Sequence, residues 1–180
     1  MDTDFRRPLL LVDGYNIIGA WPELQRERDL EASRYRLIEE LVDYSAACDL
    51  PTQIVFDAQM QRTPGCWETH GTLLAAYYTA YAQTADTYIE KVCASYARLP
   101  EYARKPLLVA TSDRAQQLTV GGYGALWQSA KQLGQVVRHT QQQTRSHQKP
   151  RSTRGRSLFH SLDAAAQQRL EQMREGKREN

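Results

Sequence analysis

The 180 residues predict an α/β domain built on a mostly parallel sheet, and two patterns carry that expectation. Short apolar runs recur at Pro8–Asp13 (PLLLVD), Gln53–Asp57 (QIVFD) and Pro106–Asp113 (PLLVATSD). Runs of this kind suit strands buried on both faces. Helical periodicities separate them, and strand alternating with helix argues for a parallel sheet covered on both sides. Tyr77–Tyr81 (YYTAY) fits a fourth strand, with helix nearly as good from its local pattern.

The helices follow in order. Leu30–Cys48 places Leu30, Leu37, Ile38, Leu41, Val42, Ser45 and Cys48 on one face, with Glu31, Arg34, Glu39 and Asp43 mostly opposite. Asp29 is its candidate N-cap. Thr84–Leu99 begins with a capping threonine and stripes Ile89, Val92, Cys93 and Tyr96 along one side. Arg114–Val120 and Ala125–Val137 read as two further helices, separated by Gly121, Gly122 and Gly124. The span 138–157 is rich in Gln, Ser and Arg, offers nothing to bury, and is expected to be flexible when free. Leu158–Arg174 recovers amphipathic helical spacing. The expected organisation is one α/β domain over 1–137, a basic flexible segment over 138–157 and a short helix within 158–180.

The formal net charge of +2 hides an asymmetry. Residues 1–113 hold 17 acids against 11 Lys/Arg, whereas 114–162 hold no acid against 8 Lys/Arg. An acidic body followed by a basic stretch points to a polyanionic partner. No apolar run approaches the roughly 20 residues of a membrane span, and the N-terminus lacks the apolar region of a signal peptide. Three cysteines with no CxxC spacing disfavour a disulfide scaffold or structural zinc, and reduced thiols in the cytoplasm are expected.

In an open parallel sheet, ligands bind outside the carboxyl ends of the strands. Asp13, Asp57 and Asp113 each end one of the proposed strands. One such aspartate is ordinary, because Asp caps helices and starts turns. Three on one edge repel each other unless a cation joins them. Asp86 and Glu90, four apart on one helix, add two more carboxylates. Hard oxygens without His or Cys suit Mg²⁺ or Mn²⁺, which polarise a phosphoryl oxygen and ease ionisation of an attacking water. With no GxxxxGK[ST] or GxGxxG motif, nucleotide-driven motors and dinucleotide enzymes lack support. A phosphatase or receiver-type phosphoacceptor using Asp13 or Asp57 would want a paired DxD or a dedicated Lys after a strand, whereas Asp13 is followed by Gly14-Tyr15. Metal-assisted phosphodiester hydrolysis fits best.

These residues then meet a family. LLVDGYNIIGAWPEL, IVFDA, TADTYIEK, VATSDRAQQ and GGYGALWQSAKQL occur in order from Leu9 to Leu133. Together they resemble the YacP-like branch of the NYN-domain nucleases, relatives of the PIN-domain ribonucleases. The resemblance implies a PIN-like three-layer sandwich with a central mostly parallel sheet, carrying here a basic C-terminal extension. It also implies a Mg²⁺- or Mn²⁺-dependent endoribonuclease acting on single-stranded RNA such as mRNA, with ribosome association in some members. Carried over by position, Asp13, Asp86 and Asp113 are the metal carboxylates, and Asn16 orients Asp13 or the scissile phosphate. Asp57 matches the pattern, though a strand-end turn explains it as well. Glu90 is either an outer ligand or a solvent-facing partner of Lys91 or Arg98. Thr111 and Ser112 flank Asp113 as hydroxyl donors. Trp127 and Gln128 depart from the basic or aliphatic residues expected there.

For RNA contact, Arg138, Arg145, Lys149, Arg151, Arg154 and Arg156 fall within 19 residues. Six phosphate contacts on a single strand would give a salt slope of about −4. Tyr15, Trp21 and Trp67 are candidate stacking rings, with a structural role as lids on the core the alternative to each. The competing function is a noncatalytic RNA- or ribosome-binding module of the same fold.

Overall fold

The structure is a computed structural model and describes residues 7–57 and 64–148. Strand β1 (Leu9–Asp13) runs directly into α1 (Gly14–Ala20), followed by α2 (Pro22–Gln25) and α3 (Leu30–Cys48). Strands β2 (Thr52–Phe56), β3 (Cys66–His70) and β4 (Leu74–Tyr78) precede α4 (Ala85–Ala97). The chain ends its described part with β5 (Leu107–Ala110), α5 (Arg114–Gly122), β6 (Leu126–Gln128) and α6 (Ala130–Gln148). The six strands lie in the order β3-β4-β2-β1-β5-β6, and every pairing is parallel except β3 with β4. This is the α/β architecture the alternation predicts.

Alternation within the strands divides the interior in two. Leu10, Val12, Ile54 and Phe56 pack with Ile17, Leu37, Leu41 and Leu133, so α1, α3 and α6 cover one face. Leu9, Leu11, Val55 and Val109 pack with Ile89, Val92, Cys93 and Val120, so α4 and α5 cover the other. Both faces of β1 and β2 are dry, which is why these strands read as continuous apolar runs.

Helix starts follow the capping logic. Asp29 accepts the Ala32 N–H at 2.8 Å, and Thr84 accepts the Thr87 N–H at 3.1 Å. Ser129 and Gln132 form a reciprocal cap at the start of α6: the Ser129 N–H donates to Gln132 Oε1 at 2.8 Å, and the Gln132 N–H to Ser129 Oγ at 3.3 Å. At Gly14 an added Cβ would collide with the Phe56 ring, so only glycine lets β1 turn into α1 this close to β2.

Five sequence expectations change. The fourth parallel strand ends at Tyr78 instead of Tyr81. Cys66–His70, which the sequence assigns to no element, is an edge strand with mostly exposed side chains. Leu126–Gln128, read as the start of a helix, is strand β6, drawn into the sheet by pairing with Leu108–Ala110. Helix α6 continues through Gln148, into the stretch expected to be flexible. The Gln- and Arg-rich continuation has good intrinsic helix propensity, so it needs no buried face to extend. On α3, Leu30 is 40% exposed and Cys48 is also exposed, so the apolar face is shorter than its spacing implies. The chain divides after Thr144 into two units, and the expected helix within 158–180 lies outside the described residues. No described helix is long and apolar enough to cross a membrane.

Candidate active site

Strand order places the site. The connection from β1 runs through α3 on one face to β2, while that from β5 runs through α5 on the other face to β6. Between the carboxyl ends of β1 and β5 the chain therefore diverges in opposite directions, leaving the crevice where open α/β sheets bind ligands. Asp13 is the last residue of β1, and Asp113 caps the helix that follows β5. Asp57 follows β2, and Asp86 lies in the first turn of α4.

Asp13, Asp57, Asp86 and Asp113 are near enough to feel one another. Asp13 is only 8% exposed. Burial, opposed by the Asn16 N–H and reinforced by the charges of Asp86, Asp57 and Asp113, raises its carboxyl to about 6. Burial, then Asp113 and Asp57, also raises Asp86. Each carboxylate is held by neutral N–H donors. Asp13 accepts from the Asn16 backbone at 3.1 Å, and Asp57 from the Ala85 backbone at the start of α4. Asp86 accepts from the Gln116 side-chain amide, and Asp113 from the Ala115 and Gln116 backbones at 2.7 and 3.1 Å. Among the described residues none of the four has an ion-pair partner.

Asn16 meets Asp13 through its backbone N–H, while its side chain reaches another turn. Its side-chain oxygen accepts the Ser112 N–H at 2.6 Å and so ties α1 to the β5–α5 turn across the crevice. Ser112 is exposed, and its hydroxyl oxygen accepts the Ala130 N–H at 3.0 Å, which leaves its hydrogen free to donate. Thr111 is fully buried, its hydroxyl accepting the Asp113 N–H at 3.1 Å, so it shapes the turn rather than facing a substrate. Glu90 lies one turn beyond Asp86 on α4, and its carboxylate accepts from the Tyr123 hydroxyl at 3.2 Å.

The candidate RNA contacts separate similarly. Tyr15 is half-buried, edge-on to Phe56, and receives a hydrogen bond from Arg34 at 3.2 Å. Trp21 is 2% exposed with its indole N–H on the Ala130 carbonyl at 2.8 Å, which makes it a core residue. Trp67 lies on β3 against Tyr77, ring centroids 4.8 Å apart, rather than in a loop at a strand end. Arg138 is engaged with Glu23 at 2.8 Å, so its charge is already matched within the fold. Arg145 is exposed on α6. Lys149, Arg151, Arg154 and Arg156 lie outside the described residues. Trp127 is 49% exposed on the edge strand β6, and Ser129 is spent as the cap of α6.

Gln116 is the contributor that sequence reasoning passed over. It is 7% exposed, its amide N–H₂ holds Asp86, and its oxygen is buried without a hydrogen-bond partner. The signal was available: Asp113 with Gln116 three residues on is the spacing of a helix-start capping pair, which aims both side chains at one end of α5. As these side chains lie, no three described His, Cys, Asp or Glu residues converge on one point that would hold a metal ion. The donor chemistry does fit a hard divalent cation: four carboxylates without a cationic partner and an orphaned amide oxygen next to one of them.

The model of the YacP-like NYN domain matches residues 10–175. Over 127 residues the chain is 34% identical to the Bacillus subtilis (strain 168) protein called Uncharacterized protein YacP, spanning 69% of this chain and 72% of that one. A crystal structure of Rae1 (YacP) from Bacillus subtilis is similar with a TM-score of 0.66 at 27% identity, covering 93% of this chain and 95% of the other. The crystal structure of a point variant of the same protein gives 0.65 at 27% identity, covering 91% and 98%. A match over nearly the whole chain, with the motif acids gathered at the strand ends, establishes that this chain belongs to the YacP-like NYN domain family, a branch of the PIN-like nucleases.

Proposed function

We propose that the chain is a divalent-metal-dependent endoribonuclease that hydrolyses phosphodiester bonds in single-stranded RNA, with ribosome-associated mRNA among its substrates. The observation that carries this reading is the gathering of Asp13, Asp57, Asp86 and Asp113 from four separate elements, with burial and mutual repulsion raising Asp13 to about 6. Repulsion of this kind is maintained at a cost in stability, and a bound cation removes it. Asp13, Asp86 and Asp113 would hold Mg²⁺ or Mn²⁺, with Asp57 as a further ligand and Glu90, bonded to Tyr123, left outside the set. The ion would polarise the phosphoryl oxygen and lower the pKa of a bound water.

The chain's own residues supply the positioning. The Asn16–Ser112 hydrogen bond fixes the two turns bearing Asp13 and Asp113. Gln116 fixes the rotamer of Asp86, and Ser112 keeps an O–H to donate to a phosphate oxygen. The basic residues from Arg145 onward supply long-range attraction for RNA. Three free cysteines accord with a cytoplasmic setting.

The second reading, a noncatalytic RNA- or ribosome-binding module, draws on the carboxylates' failure to converge on one ion. One experiment separates the two: cleavage of labelled single-stranded RNA and of polysome-bound mRNA by the wild type and Asp13→Asn, in Mn²⁺ or EDTA. The nuclease reading expects Mn²⁺-dependent cutting that is lost in the variant. Cutting of the polysome sample alone would make the ribosome a required partner. If neither RNA is cut, or the variant cuts equally well, the binding module replaces it.

A further inference from the structure

A groove of about 1080 Å³ opens between α3 and the β3–β4 hairpin. Tyr15, Arg34, Tyr35, Asp57, Glu68 and Tyr78 are among its lining residues. Its volume is just above the roughly 300–1,000 Å³ of small-molecule pockets, room enough for a nucleotide. Asp57 belongs to both this groove and the aspartate group, and Tyr15 lies two residues after Asp13, so the groove starts where the acids are.

The charges along it are unevenly matched. Arg36 is engaged with Glu27 and Glu40, and Arg28 with Asp29. Arg34 differs: it lies over the Tyr78 ring, 5.9 Å from the centroid, and donates to the Tyr15 hydroxyl. Among the described residues it has no carboxylate partner. One of its five N–H donors is used, and the planar fork is held in place by two aromatic residues. Tyr78 is itself stacked on Phe56 at 5.5 Å, and Tyr15 meets Phe56 edge-on, so both are anchored to the sheet. A preset, half-buried guanidinium with free donors suits a phosphate taken in a forked geometry. Of the remaining acids, Glu68 is bonded to the Tyr78 hydroxyl and lies 3.7 Å from His70, and Glu39 is bonded to the Tyr35 hydroxyl. With Glu31 they disfavour further phosphates, while their free oxygens suit N–H from base edges and O–H from ribose.

We propose that this groove is a nucleotide subsite for the RNA strand, in which Arg34 takes a phosphate flanking the cleavage point and the carboxylates beyond it face base and ribose. The subsite rests on the endoribonuclease reading above, and its test keeps the two apart. The full chain carrying Asp13→Asn, chosen to suppress cutting, is titrated with a fluorescent 12-nucleotide single-stranded RNA across a salt series. Arg34→Gln and Arg34→Lys are made in the same background, with thermal melts of each.

Arg34→Gln is expected to weaken binding about tenfold or more and to reduce the salt slope by about 0.7, one phosphate's worth. Arg34→Lys should keep the slope while losing part of the affinity, because the point charge remains and the fork is gone. Unchanged affinity and slope in Arg34→Gln would overturn the subsite. So would equal losses in both variants with no change of slope, since that pattern reports packing. If wild type cuts RNA while Arg34→Gln binds normally, the subsite alone fails. If wild type neither binds nor cuts RNA, the nuclease reading fails and the subsite with it.

Discussion

The α3 groove and the crevice at the end of β1 are both rich in carboxylates, but they balance them in opposite ways. In the groove Glu27 is met by Arg36, and Glu40 beside it by the same guanidinium. In the crevice Asp13, Asp57, Asp86 and Asp113 meet only neutral N–H donors among the described residues. The first arrangement answers part of its charge inside the fold with a guanidinium. The second leaves charge that only something from outside can neutralise. On the proposed reading the groove takes a strand of mixed polarity and the crevice takes a cation.

The sharpest way to break this contrast is to remove charge from the crevice. Asp13→Asn should reduce Mn²⁺-dependent RNA cleavage by about 10³-fold in single-turnover assays. A variant cutting at more than a tenth of the wild-type rate would place the chemistry elsewhere.

The same substitution should have the opposite effect on stability. The folded carboxyl of Asp13 is raised to about 6 from 3.8, so its charged form is the disfavoured one in the native state. That penalty is absent below about pH 4, grows as pH rises towards 6, and is complete above it. In EDTA at pH 7.5, Asp13→Asn should be more stable than wild type by up to about 3 kcal/mol, since asparagine keeps the N-cap and loses the charge. At pH 4 the advantage should vanish. Denaturant unfolding at the two pH values measures this directly, and a destabilised variant at pH 7.5 would refute the repulsion.

Gln116 tests whether the crevice is organised as well as charged. Gln116→Leu removes the donor to Asp86 and should cost about 10- to 100-fold in activity, largely recovered at high Mn²⁺. A loss that extra metal does not relieve would assign Gln116 to folding or substrate contact instead. The smallest effect is expected where charge is already matched. Arg138→Ala breaks the surface pair with Glu23 and should cost less than about 1 kcal/mol, with RNA affinity within twofold of wild type. A larger affinity loss would restore Arg138 to the RNA-binding surface.

Much of this was readable in advance, and the misses share a cause. Asp13, Asp57 and Asp113 stood out because strands buried on both faces leave an uninterrupted apolar run, and an acid at its end is conspicuous. Asp29 and Thr84 were found through local capping chemistry, which depends on residues three apart. β3 was missed because an antiparallel edge strand buries little, so CWETH has no apolar run to detect. β6 is three residues long and exists through its pairing with β5, which no local pattern encodes. Arg34 looked like one more charge on the solvent face of α3, because its ring partner, Tyr78, is 44 positions away on β4. Asn16 was assigned to the correct crevice, but its bond to Ser112 spans 96 positions, and the neighbour it would choose was hidden.

As proposed, four aspartates that meet no cationic group among the described residues form a site for a hard divalent cation. Calorimetric titration of the metal-free full chain with Mn²⁺ at pH 6, in two buffers of different ionisation enthalpy, tests it most directly. Saturable binding with release of protons is expected, because Asp13 must ionise to take the ion. Both the binding and the proton release should be lost or sharply reduced in Asp13→Asn. Absence of binding, or equal binding by the variant, would contradict the claim.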